Sequence, residues 1–162
     1  MNYPRRKRPR LATFDYTDPG PYFVTICLST REPRFGRVVD GIVVLNAAGE
    51  GVHDLWLSLP RRFPTLILDA FVVMPDHLHG ILTLHDGSAG HHEVSLGDVI
   101  KAFKSQSTTA YIHGVRQLGW PPFAGKLWQY NYYEHIIRDD RDLETKRAYI
   151  EGNPGRWQEK HS

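Results

Sequence analysis

The chain holds a single cysteine, Cys27, among its 162 residues. An intramolecular disulfide is thereby excluded, and a reducing cytoplasm is the natural compartment. No stretch approaches the roughly 20 consecutive apolar residues of a membrane helix, which argues against a membrane partner. The basic N-terminus has no apolar run behind it and does not read as a secretory signal. Acid is missing from the first ten residues, which carry Arg5, Arg6, Lys7, Arg8 and Arg10. The formal net charge is only +2, so the rest of the chain is net acidic. Such a concentrated basic arm suits an anionic polymer, most often nucleic acid; the alternative is a solvated tail. Pro4 and Pro9 fit an extended arm that could follow a backbone.

What is present fits one domain with a substantial core: 41% of the residues are apolar and no internal repeat appears. The organisation expected is an arm over 1–20, a domain over 21–154 and a short tail over 155–162. Tyr22 to Leu28 alternates as a strand, with Tyr22, Val24, Ile26 and Leu28 on one face and Phe23, Thr25 and Cys27 on the other. Asp40-Gly41 between Arg37–Val39 and Ile42–Leu45 predicts a two-residue hairpin turn. Asn46 is placed to cap a helix over about 47–59, with Val52, Leu55, Trp56 and Leu59 as its buried stripe and Pro60 as its stop. Strands follow over Leu66–Met74 and His77–Leu84, broken by Pro75-Asp76. Ser95 opens a helix over about 96–113, with Leu96, Val99, Ile100, Phe103 and Ala110 facing inward. Trp128 to Arg138 is aromatic and extended or irregular, and a last helix spans about Asp142 to Asn153, ended by Pro154. Strands and helices mix without strict alternation. The fold class expected is therefore α+β, an antiparallel sheet with helices on one face.

Two histidines stand out among nine. In a strand His77, His79, Ile81 and Thr83 share a face, and Leu78, Gly80, Leu82 and Leu84 share the opposite one. The backbones of His77 and His79 lie roughly 6–7 Å apart, so their imidazoles can converge on one divalent ion. A surface pair or satisfied core histidines are the alternatives. His91-His92, in a polar loop, reads as solvent-exposed, and His53 and His113 carry no special signal. On the last helix Tyr149 and Asn153 are four residues apart and so share one face. Tyr130, Tyr132 and Tyr133 are rival tyrosines, read as packing or base-stacking aromatics. Trp120 and Trp128 are read as core anchors first and nucleobase platforms second.

Four stretches together carry a resemblance: Phe71-Val72-Val73-Met74-Pro75-Asp76-His77-Leu78-His79, Phe103-Lys104-Ser105, Trp128-Gln129 through Tyr133-Glu134-His135-Ile136-Ile137-Arg138, and Tyr149-Ile150-Glu151-Gly152-Asn153-Pro154. They span residues 71–154, and Tyr22–Leu28 fits the family's first strand. The chain resembles the HUH endonucleases, named for histidine–hydrophobic–histidine. Within them it is most similar to the REP-associated tyrosine transposases and related single-tyrosine insertion-sequence transposases.

The resemblance implies a ferredoxin-like sheet with a C-terminal helix carrying the tyrosine. It implies Tyr149 as nucleophile, and Asn153 beside His77 and His79 as the third ligand of Mg²⁺ or Mn²⁺. Two imidazoles suit Mn²⁺ better than Mg²⁺, which prefers oxygen. The implied partner is single-stranded DNA carrying a hairpin, of the REP or insertion-sequence-end kind, in the bacterial nucleoid. The implied enzyme is a monomer or homodimer. Lys101, Lys104, Ser105 and Arg138, with the five basic residues of the arm, are the expected DNA contacts, and His135 is a candidate partner of the site.

Those residue types suit the chemistry. A phenol with a pKa of about 10 attacks poorly at neutral pH without help, and a divalent cation on the scissile phosphate supplies it. Two rival enzymes lack a required residue: a His-x-His-x-His nucleotide hydrolase would need histidine where Ile81 stands, and a two-histidine phosphoesterase needs His-x-Ser/Thr pairs, whereas Gly80 and Ile81 follow His79. A domesticated, non-mobile nuclease and a non-catalytic nucleic-acid-binding domain remain as alternatives.

Overall fold

The computed structural model describes residues 20–85 and 94–161. The elements in chain order are β1 (Gly20–Cys27), β2 (Gly36–Val39), β3 (Ile42–Leu45), α1 (Ala47–Arg62), β4 (Leu66–Met74), β5 (His77–Leu84), α2 (Leu96–Leu118), β6 (Tyr133–Ile136) and α3 (Asp140–His161). Four strands form one antiparallel sheet in the order β4-β5-β1-β6. With the separate β2-β3 hairpin set aside, the succession β1-α1-β4-β5-α2-β6 is that of a ferredoxin-like fold.

Local chemistry accounts for the punctuation. Asp40 and Gly41 both take positive φ, 50° and 74°, as a primed hairpin turn requires. Asn46 caps α1 by accepting from Gly49 N, and Ser95 and Asp98 form a reciprocal capping box on α2. Gly119, at φ 73°, closes α2 in the left-handed region.

The two sheet faces carry different cores. Tyr22, Val24 and Ile26 of β1, with Leu78 and Leu82 of β5, pack against Trp56 and Leu59 of α1 and Val99, Ile100 and Phe103 of α2. On the other face Phe23 and Ile81 meet Ile137 and Ile150, with Leu143, Tyr133 and Tyr149 around them. Thus α1 and α2 share one face, as the alternation of β1 and β5 requires, and α3 lies on the opposite one. That second face is where β5 presents His77 and His79.

Three helices outrun their expected ends. α1 continues through Pro60 to Arg62, and α2 runs to Leu118. On α2 Ala110 is exposed; Ser107 and Tyr111 take the inward positions instead. The largest difference is α3, expected to stop at Pro154 with a tail beyond it, which continues to His161. Proline costs the helix one ladder hydrogen bond, since Pro154 cannot donate to the carbonyl of Ile150. Contacts further on hold the remaining turns: Trp157 packs toward His77, and Gln158 accepts from the backbone N–H of Gly41 at the hairpin. Within the aromatic stretch 128–138, Tyr133–Ile136 forms the edge strand β6.

Candidate active site

Met74 pairs with His77 across the two-residue Pro75-Asp76 turn, so β5 begins on the first histidine. Across the sheet Cys27 stands opposite His77, and Thr25 opposite His79. This register supplies the second histidine's anchor: Thr25 Oγ1 lies 2.7 Å from His79 Nδ1. The first histidine is anchored by the turn, with His77 Nδ1–H donating to Asp76 Oδ1 at 2.6 Å. Arg31 Nε donates in turn to Asp76 Oδ2 at 2.9 Å. Arg31 takes φ 60°, a left-handed backbone that a side chain bearing a Cβ rarely adopts. With both Nδ1 atoms tied, both Nε2 atoms point to one spot, 3.1 Å apart.

Burial keeps these imidazoles neutral. His77 is 3% exposed and His79 0%. Desolvation lowers the His77 pKa, against the pull of the Asp76 carboxylate. Desolvation lowers that of His79 well below the ordinary value, reinforced by the positive field of His77, Arg156 and Arg31. Burial pushes the Asp76 carboxyl up, but hydrogen bonds from His77 and Arg31 outweigh it and hold it below the usual range. Cys27, a small buried residue as its place in the strand suggests, has its thiol pushed up to about 12 by burial and stays protonated.

The helix α3 brings the other two residues. The Tyr149 ring stands edge-on to His79 with centroids 5.2 Å apart, and Phe23 stacks on His79 at 5.6 Å while meeting Tyr149 edge-on at 5.9 Å. Asn153, one turn on and buried, lines the same pocket as the His77 imidazole. Arg156 folds back over the Tyr149 ring, 4.3 Å from its centroid, and donates to the Tyr149 carbonyl. Gly152 leaves the room: a Cβ there would lie 2.6 Å from Arg156 Nη1. His135 pairs with Asp142 Oδ2 at 2.8 Å, so it seats the start of α3 and its partner is not one of the site residues.

The donor set fits a divalent ion. With metal–nitrogen bonds of about 2.1 Å, two ligands at right angles stand about 3.0 Å apart, close to the 3.1 Å between the Nε2 atoms. Two Nε2 atoms at that distance cannot both carry a proton. Coordination would place the His79 proton on Nδ1, facing the Thr25 oxygen, as the His77 proton on Nδ1 already faces Asp76. Outer partners of this kind fix ring orientation in metal sites. Among the described residues no three His, Cys, Asp or Glu side chains converge on one point; the buried amide of Asn153, in the same pocket, is an oxygen that could join the two imidazoles.

The expected DNA contacts fall elsewhere. Lys101, Lys104 and Ser105 lie on α2, on the sheet face away from the histidines, along a groove completed by Lys126 and Tyr130. Tyr130 is 81% exposed, whereas Tyr132 and Trp128 are buried. Trp128 is a core anchor, its indole N–H donating to Ser107 Oγ at 2.8 Å. The Lys104 ammonium donates to the carbonyls of Gln129 and Tyr130, bracing the groove wall. Arg138 is exposed just before α3. The arm with Arg5, Arg6, Lys7, Arg8 and Arg10, and the pair His91-His92, lie outside the described residues.

Sequence reasoning missed Thr25, Arg31, Asp76, Arg156 and Trp157. Only Asp76 left a signal, as the acid that abuts the first histidine at a turn. Thr25 is found only once the register of β1 on β5 is known, and Arg156 and Trp157 only once α3 runs past Pro154.

No protein-family profile matches the chain. An uncharacterised protein of Haemophilus influenzae is 33% identical over 163 residues, covering 95% of this chain and 91% of that protein. A second Haemophilus influenzae protein, assigned provisionally as a REP-associated tyrosine transposase, is 28% identical over 143 residues, covering 86% of this chain and 73% of that protein. Among solved structures, a REP-associated tyrosine transposase bound to a REP hairpin shares the fold at a TM-score of 0.65 and 23% identity, covering 91% of this chain and 74% of that one. A provisionally assigned transposase from Deinococcus radiodurans matches at a TM-score of 0.50 and 19% identity, over 90% of this chain and 98% of that one. The chain is thus similar along nearly its whole length to an uncharacterised Haemophilus influenzae protein, is similar more distantly to a provisionally assigned REP-associated tyrosine transposase, and shares its fold with a REP-associated tyrosine transposase of known structure.

Proposed function

We propose that the chain is a metal-dependent endonuclease and strand transferase of the HUH single-tyrosine type, acting on single-stranded DNA that carries a hairpin. The observation that carries this reading is the convergence of the two Nε2 atoms at 3.1 Å beneath a helix that brings Tyr149 and Asn153 to the same pocket. In the proposed reaction the Tyr149 oxygen attacks a backbone phosphorus and the 3′ oxygen leaves. The phenol loses one proton and the departing oxygen gains one. The 5′ phosphate stays on the protein as a phosphotyrosine, and the upstream strand ends in a 3′-hydroxyl. One phosphodiester is exchanged for another, so rejoining needs no nucleotide cofactor.

His77, His79 and Asn153 are the proposed ligands. When bound, a divalent ion, Mg²⁺ or Mn²⁺, neutralises charge on the scissile phosphate. Asp76 and Thr25 hold the two imidazoles in the orientation that coordination needs. Phe23 and Tyr149 wall off His79, which keeps water from one side of the reacting region. The α2 groove with Lys101, Lys104, Ser105 and the exposed Tyr130 suits DNA, because lysines track a phosphate backbone and an aromatic face receives a base. The hairpin partner follows the solved relative, and Arg138 and the basic arm are proposed as further phosphate contacts. No helix among the described residues is long and apolar enough to cross a membrane.

The test is an adduct assay. Single-stranded hairpin DNA from the regions flanking the encoding gene, labelled at the 3′ end, is incubated with the protein and Mn²⁺ and then denatured. Wild type is expected to carry label on the polypeptide, and Tyr149→Phe none. Absence of any wild-type adduct overturns the catalytic reading; an adduct in Tyr149→Phe overturns only the nucleophile.

A further inference from the structure

We infer that the last two turns of α3, beyond Pro154, form a nucleotide-binding wall in which Trp157 stacks an unpaired base and Arg156 and Lys160 meet the phosphates beside the bond that is cut. The inference rests on the proposed role of Tyr149 and names which residues would hold the strand next to it.

The helix carries Tyr149, Asn153, Trp157 and His161 at successive steps of four, so they form one stripe. The same helical face therefore leads from the phenol, past the amide, to an indole. These residues line a cavity of about 630 Å³ whose floor is His77 and Asp76, within the roughly 300–1,000 Å³ of small-ligand sites. Trp157 belongs to neither hydrophobic core cluster among the described residues. It is half-buried, 5.9 Å from the His77 ring centroid, and stacked on exposed His161 with centroids 3.8 Å apart and planes 11° from parallel. A tryptophan that only anchored the helix would join the core formed by Phe23, Ile81 and Ile150. This one stands at the cavity wall with an aromatic already laid flat against it, the geometry that a base would adopt.

The charge around the indole points to a polyanion. Arg31, Arg156 and Lys160 line the cavity, and its acid, Asp76, is engaged by Arg31 and His77. Arg156 lies over the Tyr149 ring, so a phosphate held by its guanidinium would sit beside the phenol. A basic groove with one stacking aromatic is the usual arrangement for single strands.

The probe is a fluorescein-labelled oligothymidylate of about ten nucleotides, with a blunt duplex of equal length as control, both titrated by anisotropy in Mn²⁺. Trp157→Ala is expected to weaken the single strand about tenfold or more and the duplex less than about twofold, while Trp157→Phe keeps most of the affinity. Lys160→Gln is expected to flatten the dependence of log affinity on log salt by about 0.7, the value for one phosphate contact on a single strand. That slope decides the matter if Trp157→Ala does not fold. Single-strand binding unchanged in Trp157→Ala, equal loss on strand and duplex, or an unchanged slope in Lys160→Gln each overturns the wall. If wild type forms no adduct yet its binding depends on Trp157 as expected, the catalytic reading fails and the wall stands. If adducts form and Trp157→Ala binds normally, the wall alone fails.

Discussion

Arg147 grips Asp69 with two nitrogens of its guanidinium, Nε to Oδ1 at 2.9 Å and Nη2 to Oδ2 at 2.7 Å. Asp69 sits where the pairing of β4 with β5 shifts between Leu68 and Phe71, so the bulge turns a carboxylate toward α3. Arg147 lies two residues before Tyr149, and the fork sets how α3 meets the sheet. Both groups are partly solvated, so the bond contributes little to overall stability. Its expected role is placement. Arg147→Ala should slow adduct formation on the order of tenfold to a hundredfold, since a misplacement of about 1 Å can cost that much, while the thermal midpoint moves little. Arg147→Lys should recover only part, because an ammonium cannot make the bidentate contact. Unchanged single-turnover rates in Arg147→Ala would remove the fork from the machinery.

Asp76 is the outer partner of His77 and also holds Arg31. Asp76→Asn keeps the size but removes the charge and one acceptor. The charge-assisted bond that fixes the His77 proton on Nδ1 is then reduced to a neutral one at best. Mn²⁺ affinity, measured by isothermal titration, is expected to fall about 10–100-fold, with the far-UV spectrum unchanged. Equal affinity in wild type and variant would show that Asp76 does not orient the ring.

The β-period made the face shared by His77 and His79 legible before any coordinates, because alternation depends only on the strand existing. The helix stripe of Tyr149 and Asn153 was legible for the same reason. What periodicity could not supply was register. Thr25 meets His79 only because β1 pairs with β5 at Thr25↔His79, a long-range fact with no local signature. Pro154 misled because local chemistry disfavours a helix there, and tertiary contacts by Trp157 and Gln158 outweighed it. Strand β6 was obscured because its four residues are an edge strand, partly buried on both faces and without clean alternation. The glycine after the second histidine could be assigned to a face, but not its reason.

That reason is the packing of α1. A Cβ on Gly80 would lie 2.7 Å from Trp56 Cζ2 and 3.3 Å from Phe71 Cβ. Trp56 is fully buried against Phe103, so neither ring can yield cheaply. Gly80→Ala should cost about 1–3 kcal/mol by overpacking, read as a lower midpoint in urea at constant slope. Because His79 is the residue just before it, weaker metal binding should accompany the loss. A stable variant of unchanged midpoint would mean that α1 can move away from the sheet.

The buried imidazoles make the metal-free protein sensitive to mild acid. In the unfolded chain a histidine titrates near 6.5. In the folded chain burial lowers both His77 and His79, the latter further. Between the folded and unfolded values the unfolded chain binds more protons, so stability rises with pH there. Their contribution is complete above about 6.5 and is lost as pH falls toward the folded values. Each histidine can add at most about 1.4 kcal/mol per pH unit to that slope. In chelator, the urea midpoint of wild type should therefore be level above pH 7 and decline from about pH 6.5 to 5. His79→Asn, which has nothing to protonate at that position, should decline less steeply over the same window. Comparing the two slopes isolates His79 from the other histidines, and parallel curves would mean that His79 is not held neutral by its burial beneath Tyr149 and Phe23.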